Sequence, residues 1–174
     1  MKWILIILLI STVALLGCSP NEKSENEEGS ETADKVSFDD AMGSGIDTSK
    51  WLTNYEQSLE LAKKTKRPVL INFTGSDWCS WCIKLSKEVF TQEEFLNFAK
   101  GNLVLLKLDF PKRLIQSPEE KAANDKLSQQ YKITGFPTII LLSPEGVEIA
   151  RTGYQPGGAS AYVKHLQSLL AADK

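Results

Sequence analysis

The sequence predicts an α/β domain, a central mixed β-sheet flanked by helices, preceded by an export signal and a disordered linker. Three observations predict it. Short apolar β-type runs at 69–73, 103–109 and 138–142 alternate with stretches of helical spacing. The third run is followed by a turn, a returning run at 147–152 and a last amphipathic stretch, the pattern of a hairpin closed by a helix. Two cysteines, Cys79 and Cys82, stand two residues apart where the first strand gives way to a helix.

The elements follow in order. Met1-Lys2 is a short basic start, and 3–16 is apolar except for Ser11 and Thr12. That run is too short for a comfortable permanent span and reads as an export signal over residues 1–17. The stretch after Cys18 is rich in Glu, Ser and Asn and cannot bury enough surface to offset its ordering entropy. Residues 18–45 are therefore expected to form a flexible acidic linker, and 46–174 to form one domain with one core. Asn54 caps a first helix, with Gln57 three residues on and Leu52, Tyr55, Leu59 and Ala62 at helical spacing. Arg67-Pro68 ends that helix and 69–73 is strand. The helix after the cysteines runs to Phe90. Thr91-Gln92-Glu93-Glu94 reads as a capping box for a short helix ending near Gly101. Residues 103–109 are a buried strand. Ser117 caps the next helix, with Pro118 at its first position and Glu120 closing the box. Strand 138–142, turn 143–146, strand 147–152 and helix 159–172 complete the domain.

The 174-residue chain carries 20 Lys and Arg against 22 Asp and Glu, a net charge of −2, and no basic cluster. The electrostatic footprint of a nucleic-acid binder is absent. No internal repeat is visible, and no metal, flavin or nucleotide motif stands out, so no cofactor is expected.

Chemistry concentrates in Trp78-Cys79-Ser80-Trp81-Cys82. Two cysteines at this spacing can close a small disulfide ring. At a helix N-terminus the dipole and the free N–H groups of the first turn stabilise a thiolate on the first cysteine. Attack on a disulfide then passes through a mixed disulfide that the second cysteine releases. The competing reading is half of a zinc site. Structural zinc takes four Cys or His ligands. The chain has three Cys and one His, and Cys18, directly after the leader, is committed elsewhere, so Cys79, Cys82 and His165 are one ligand short unless a carboxylate or a second chain completes the set. His165 reads as a solvated residue of the last helix. Trp78 and Trp81 read as an apolar platform flanking the sulfurs, and Trp51 and Phe73 as core.

Two resemblances follow from these motifs. Leu15-Leu16-Gly17-Cys18 resembles the bacterial lipoprotein lipobox, which implies cleavage before Cys18, acylation of its sulfur and a membrane anchor. A strand, Trp78-Cys79-x-x-Cys82, a helix, a strand with Lys107, a helix, and Gly135-Phe136-Pro137-Thr138 opening a hairpin resemble the thioredoxin superfamily over most of 51–170. Gly75-Ser76-Asp77-Trp78-Cys79 is similar to the exported thioredoxin-like proteins of that superfamily. The resemblance implies a thioredoxin fold, Cys79 as the exposed attacking thiol, Cys82 as the buried resolving thiol, and a cis Phe136–Pro137 bond. At the start of a hairpin strand Pro137 costs no ladder donor. A cis bond there would leave the Phe136 backbone beside the cysteines, free to pair with an extended substrate.

Three departures stand out. The acid buried beneath the cysteines in thioredoxin falls on Asn72 here, which cannot accept the proton of Cys82. Lys107 matches a buried lysine of the family or is a strand-end lysine reaching solvent. Asp77 or a water is left to support proton transfer. The dipeptide Ser80-Trp81 carries no charge, which leans away from a strong oxidant. The stretch 110–123 is longer than its thioredoxin counterpart and reads as an insertion.

The expectation is a monomeric, membrane-anchored extracytoplasmic thiol–disulfide oxidoreductase, facing the periplasm where the cell has two membranes. It exchanges disulfides with client proteins, more in the reducing direction, and a membrane redox partner resets it. The alternatives are a thioredoxin-fold binding module with a permanent disulfide, a metal-delivery protein using the thiolate pair, and a peroxide reductase, which lacks the Thr and Arg surroundings of a peroxidatic cysteine.

Overall fold

The computed structural model describes residues 50–172. The expected signal over 1–17, the lipidation site Cys18 and the linker over 18–45 lie outside the described residues. Five α-helices and four strands follow: α1 (Tyr55–Thr65), β1 (Val69–Thr74), α2 (Ser80–Leu85), α3 (Glu93–Asn102), β2 (Val104–Asp109), α4 (Pro118–Gln130), β3 (Thr138–Leu142), β4 (Glu148–Thr152) and α5 (Gly158–Ala171). The sheet order is β2-β1-β3-β4. β1 runs parallel to β2 and antiparallel to β3, and β3 and β4 form the hairpin. The mixed sheet expected from the alternation is therefore present.

Most elements start for the reasons visible in the sequence. The Asn54 side chain accepts from the Gln57 N–H at 2.9 Å, satisfying one orphan donor of α1. α1 stops at Lys66, which is left-handed at φ 55° and returns its N–H to the Ala62 carbonyl. Ser117 accepts from the Glu120 N–H at 3.1 Å, with Pro118 opening α4.

Three local readings change. α2 runs without a break into a π-helical segment, Ser86–Phe90, so the expected single helix is two windings. The Thr91 capping box does not form: Thr91 donates its hydroxyl back to the Ser86 and Lys87 carbonyls of the wide turn, and α3 starts from Gln92 without a side-chain cap. Leu52, placed on the first helix by its spacing, instead bridges Leu106 in parallel, giving and receiving backbone hydrogen bonds along β2 at 2.9 and 2.8 Å.

Alternation along the strands divides the core into two layers. Val69, Ile71 and Phe73 of β1 face Leu61 and Ala62 of α1, Leu127 of α4 and Tyr131 at its C-terminal cap. Leu70 faces the opposite layer, with Leu85, Phe95, Tyr162 and Leu166 from α2, α3 and α5. Full burial of each large apolar side chain stabilises the fold by about 1.5–3 kcal/mol. The same parity puts Asn72 on the layer of α2, beneath the cysteine helix, and the register sets it opposite Lys107.

Candidate active site

β1 is buried along all six residues and ends at Thr74. The chain then turns through 75–78: the Gly75 carbonyl accepts from the N–H groups of Trp78 at 3.4 Å and Cys79 at 2.9 Å. A Cβ on Gly75 would stand 2.5 Å from the Trp78 ring, so only glycine lets the indole lie over this turn. Cys79 is the N-cap of α2. Its sulfur accepts from the Cys82 N–H at 3.2 Å, and its carbonyl from Ile83 at 3.0 Å. The two cysteines form a disulfide with their Cα atoms 5.2 Å apart. Cys79 is 7% exposed and Cys82 4%.

One aromatic wall rises beside Cys79. The Trp78 indole N–H donates to the Phe110 carbonyl at 2.8 Å. Its ring meets Phe136 edge-on at 5.9 Å, and Phe136 packs on Phe110 at 5.1 Å. The Lys112 ammonium lies 3.8 Å from the centre of the Trp78 ring, a cation–π contact. The Phe136–Pro137 bond is cis. A Cβ on Gly153 would come within 3.3 Å of the Pro137 carbonyl, so β4 leaves the site through a glycine.

A second wall stands on α2. Trp81 is 54% exposed and lies 5.2 Å from Tyr154. Lys84 sits over both rings, 5.2 Å and 5.1 Å from their centres. Tyr154 donates to Glu88 at 2.7 Å. The Tyr154 hydroxyl, and after it the Glu88 carboxylate, hold the Lys84 ammonium above the ordinary lysine range.

The remaining polar residues organise loops. Asp109 ends β2 and receives the backbone N–H of Ser76 at 2.9 Å and its hydroxyl. Lys107, with its side chain 41% exposed, pairs with Asp109 at 3.8 Å. Asn72 is 6% exposed and its Oδ1 has no hydrogen-bond partner. Asp77 accepts from three successive backbone N–H groups: Lys112 at 3.0 Å, Arg113 at 2.6 Å and Leu114 at 2.9 Å. The Lys112 hydrogen bond leads in lowering the Asp77 pKa. His165 is half-buried and not solvated as expected: it bonds the Thr152 hydroxyl at 2.9 Å and packs against Tyr162.

The structure thus brings Trp78, Phe136 and the cysteine turn together, puts Trp81 on the opposite wall, and sends Lys107 to Asp109. Sequence reasoning missed Asp109, Lys112, Tyr154 and Glu88. Asp109 was signalled by a charge ending an apolar strand. Tyr154 and Glu88, 66 residues apart, left no local signal.

A bonded cysteine pair held where a helix begins has one characteristic chemistry, the exchange of a disulfide for two thiols. The class is accordingly a thiol–disulfide oxidoreductase of the thioredoxin fold. A family model described as a thioredoxin-like domain matches residues 55–167, and the chain belongs to that family. It is 41% identical over 117 residues to the disulfide bond reductase DsbH of Chlamydia pneumoniae, covering 67% of this chain and 70% of that one. It is 35% identical over 107 residues to the thioredoxin-related protein DsbJ of the same organism, covering 62% of this chain and 31% of that longer one. A solved structure of a DsbH oxidoreductase superposes with a TM-score of 0.67 at 40% identity, over 70% of this chain and 84% of that one.

Proposed function

We propose that this chain is a membrane-anchored, extracytoplasmic thiol–disulfide oxidoreductase working chiefly as a reductant. The observation that carries the reading is the Cys79 sulfur at the N-cap of α2, accepting the Cys82 N–H. In the reduced protein that donor and the helix start favour the Cys79 thiolate. Cys79 attacks one sulfur of a client disulfide and expels the other as a thiolate. Cys82 then attacks the Cys79 sulfur and expels the client's second thiolate. Two electrons pass to the client, its two thiolates take up the Cys82 proton and one proton from solvent, and the Cys79–Cys82 disulfide remains. Trp78, Trp81, Phe136 and Pro137 form the platform for the client chain. Asp77 and Lys107 hold loops around the pair rather than carrying its proton.

The reductive direction is supported by the uncharged Ser80-Trp81 dipeptide and by the name of the reductase relative. Residues 1–17 act as the leader, Cys18 carries the lipid, 18–45 is the tether and 46–174 the working domain. A membrane redox partner returns electrons to the pair.

The deciding experiment equilibrates the protein with thiol buffers. A potential near that of thioredoxin, about −270 mV, supports the reductant. A value near about −120 mV makes the protein a disulfide donor. Both cysteines are less than a tenth exposed, which favours a permanent structural disulfide as the second reading. A pair that no thiol buffer opens would select it. In cells, Cys82→Ala traps mixed disulfides with clients and Cys79→Ala traps none. Cys18→Ala moves the protein from the membrane to the soluble fraction.

A further inference from the structure

The longer stretch after β2 is fastened to the redox turn at several points. Phe110 donates its N–H to Thr74 at 2.8 Å and accepts the Trp78 indole N–H. Gln116 reaches back to the Asp109 carbonyl at 3.1 Å. Between these ends the chain has no strand or helix of its own, and its shape is set by one side chain: Asp77, two residues before Cys79, receives three consecutive N–H groups from 112–114. Between this loop and the Trp78–Phe136 wall lies a groove of about 370 Å³ whose lining includes Phe110, Pro111, Leu114 and Lys112. Leu114 is 62% exposed at its rim. Among the described residues, the Lys112 and Arg113 side chains have no ion-pair partner. The groove is lined mainly by apolar groups; its charged lining is Lys112 together with the Lys121–Asp125 ion pair, which leaves one cation in excess, and Trp78 makes it continuous with the cysteine turn.

We propose that Asp77 is a positioning residue that fixes the 112–114 loop as one wall of a client pocket, and that this pocket takes an aliphatic or aromatic side chain next to the client's cysteine, flanked by an acidic residue. The inference rests on the disulfide-exchange reading and names its substrate preference. An apolar group in such a pocket distinguishes substrates by about tenfold or more, and the acidic neighbour complements Lys112 and Arg113.

The test uses the reduced full-length protein and two dimeric peptide disulfides, one with Leu-Glu and one with Gly-Lys after the cysteine. The expected result is a preference of about tenfold in kcat/KM for the Leu-Glu peptide, carried by KM. Asp77→Asn, which removes the charge and keeps the size, brings the ratio to within about twofold by raising KM for that peptide alone, while the Lys112, Arg113 and Leu114 amide signals move. Leu114→Ser lowers the same ratio without touching Asp77. A general structural role for Asp77 would slow both peptides alike, and that outcome overturns the proposal, as does equal turnover of the two peptides by the wild-type protein. Reduction of neither peptide would overturn the exchange reading itself and this proposal with it.

Discussion

Asn72 stands directly opposite Lys107 across the parallel β1–β2 pair, yet no hydrogen bond joins Asn72 Oδ1 to the lysine: Lys107 pairs with Asp109 at 3.8 Å and Asn72 Oδ1 is left without a partner. A buried acceptor without a donor costs about 1–3 kcal/mol, and replacing it by an apolar group of similar shape removes that cost. Asn72→Leu is therefore expected to be neutral or to stabilise the oxidised protein by about 1 kcal/mol, read from urea unfolding. A loss of more than about 2 kcal/mol would mean that the amide has a partner.

Asn72→Asp tests the same position by pH. Burial on the α2 layer raises the pKa of a carboxyl above its unfolded value. A carboxyl with a raised folded pKa costs nothing below the unfolded value and becomes destabilising as pH rises through the folded one. The variant is expected to match the parent near pH 4 and to fall below it at pH 7.5, by about 1.4 kcal/mol per unit of raised pKa. Equal stability at both pH values would show the site open to water.

Asp77 has the opposite sign. Its pKa is lowered, chiefly by the Lys112 N–H, so the clamp on 112–114 is complete above the ordinary carboxylate value of 3.8 and is lost as pH falls through the lower folded value. The Lys112–Leu114 amide chemical shifts should hold constant from pH 7 to pH 4 and move together below it. Movement centred at pH 5 or above would contradict the hydrogen-bonded carboxylate.

Gly75→Ala puts a Cβ where the Trp78 ring lies, 2.5 Å from its nearest atom. The ring must leave, and with it the bond to Phe110 and the contact with Lys112. The expected loss is about 1–3 kcal/mol of stability, with a shift in tryptophan emission. Unchanged emission would place the ring elsewhere.

Trp81→Ala separates binding from folding. Trp81 is more than half exposed and packs on one ring, so stability should change by no more than about 0.5–1 kcal/mol. Trapping of clients by the Cys82→Ala protein should fall severalfold in the double variant. Full trapping would remove Trp81 from the platform.

Much of this was legible in the chain. The β1, β2 and β3 runs, the Ser117-Pro118 start of α4 and the Asn54 cap of α1 are local signals, and each element stands where its signal lies. The cysteine turn was equally legible, because helix capping and strand ending are written within a few residues. The parts that escaped depend on an irregular local winding or on distant partners. Thr91 looked like a cap until the π-helical turn offered it carbonyls. Leu52 carried a helical period but joins a strand 54 positions away in the numbering, at Leu106. Asp77 looked like a titrating neighbour of the cysteines, and its three donors come from a loop more than thirty residues later.

The Leu52 bridge also bears on the open edge of the sheet. A four-stranded sheet has two outer strands, and each offers unpaired backbone to any other extended chain. On β2 that offer is answered at its centre by Leu52, which takes the Lys107 N–H and gives its own to Leu105. On β4 the paired charges of Glu148 and Arg151 stand guard instead. A chain shortened past Leu52 would keep every catalytic atom and yet open β2 as a template for strand addition.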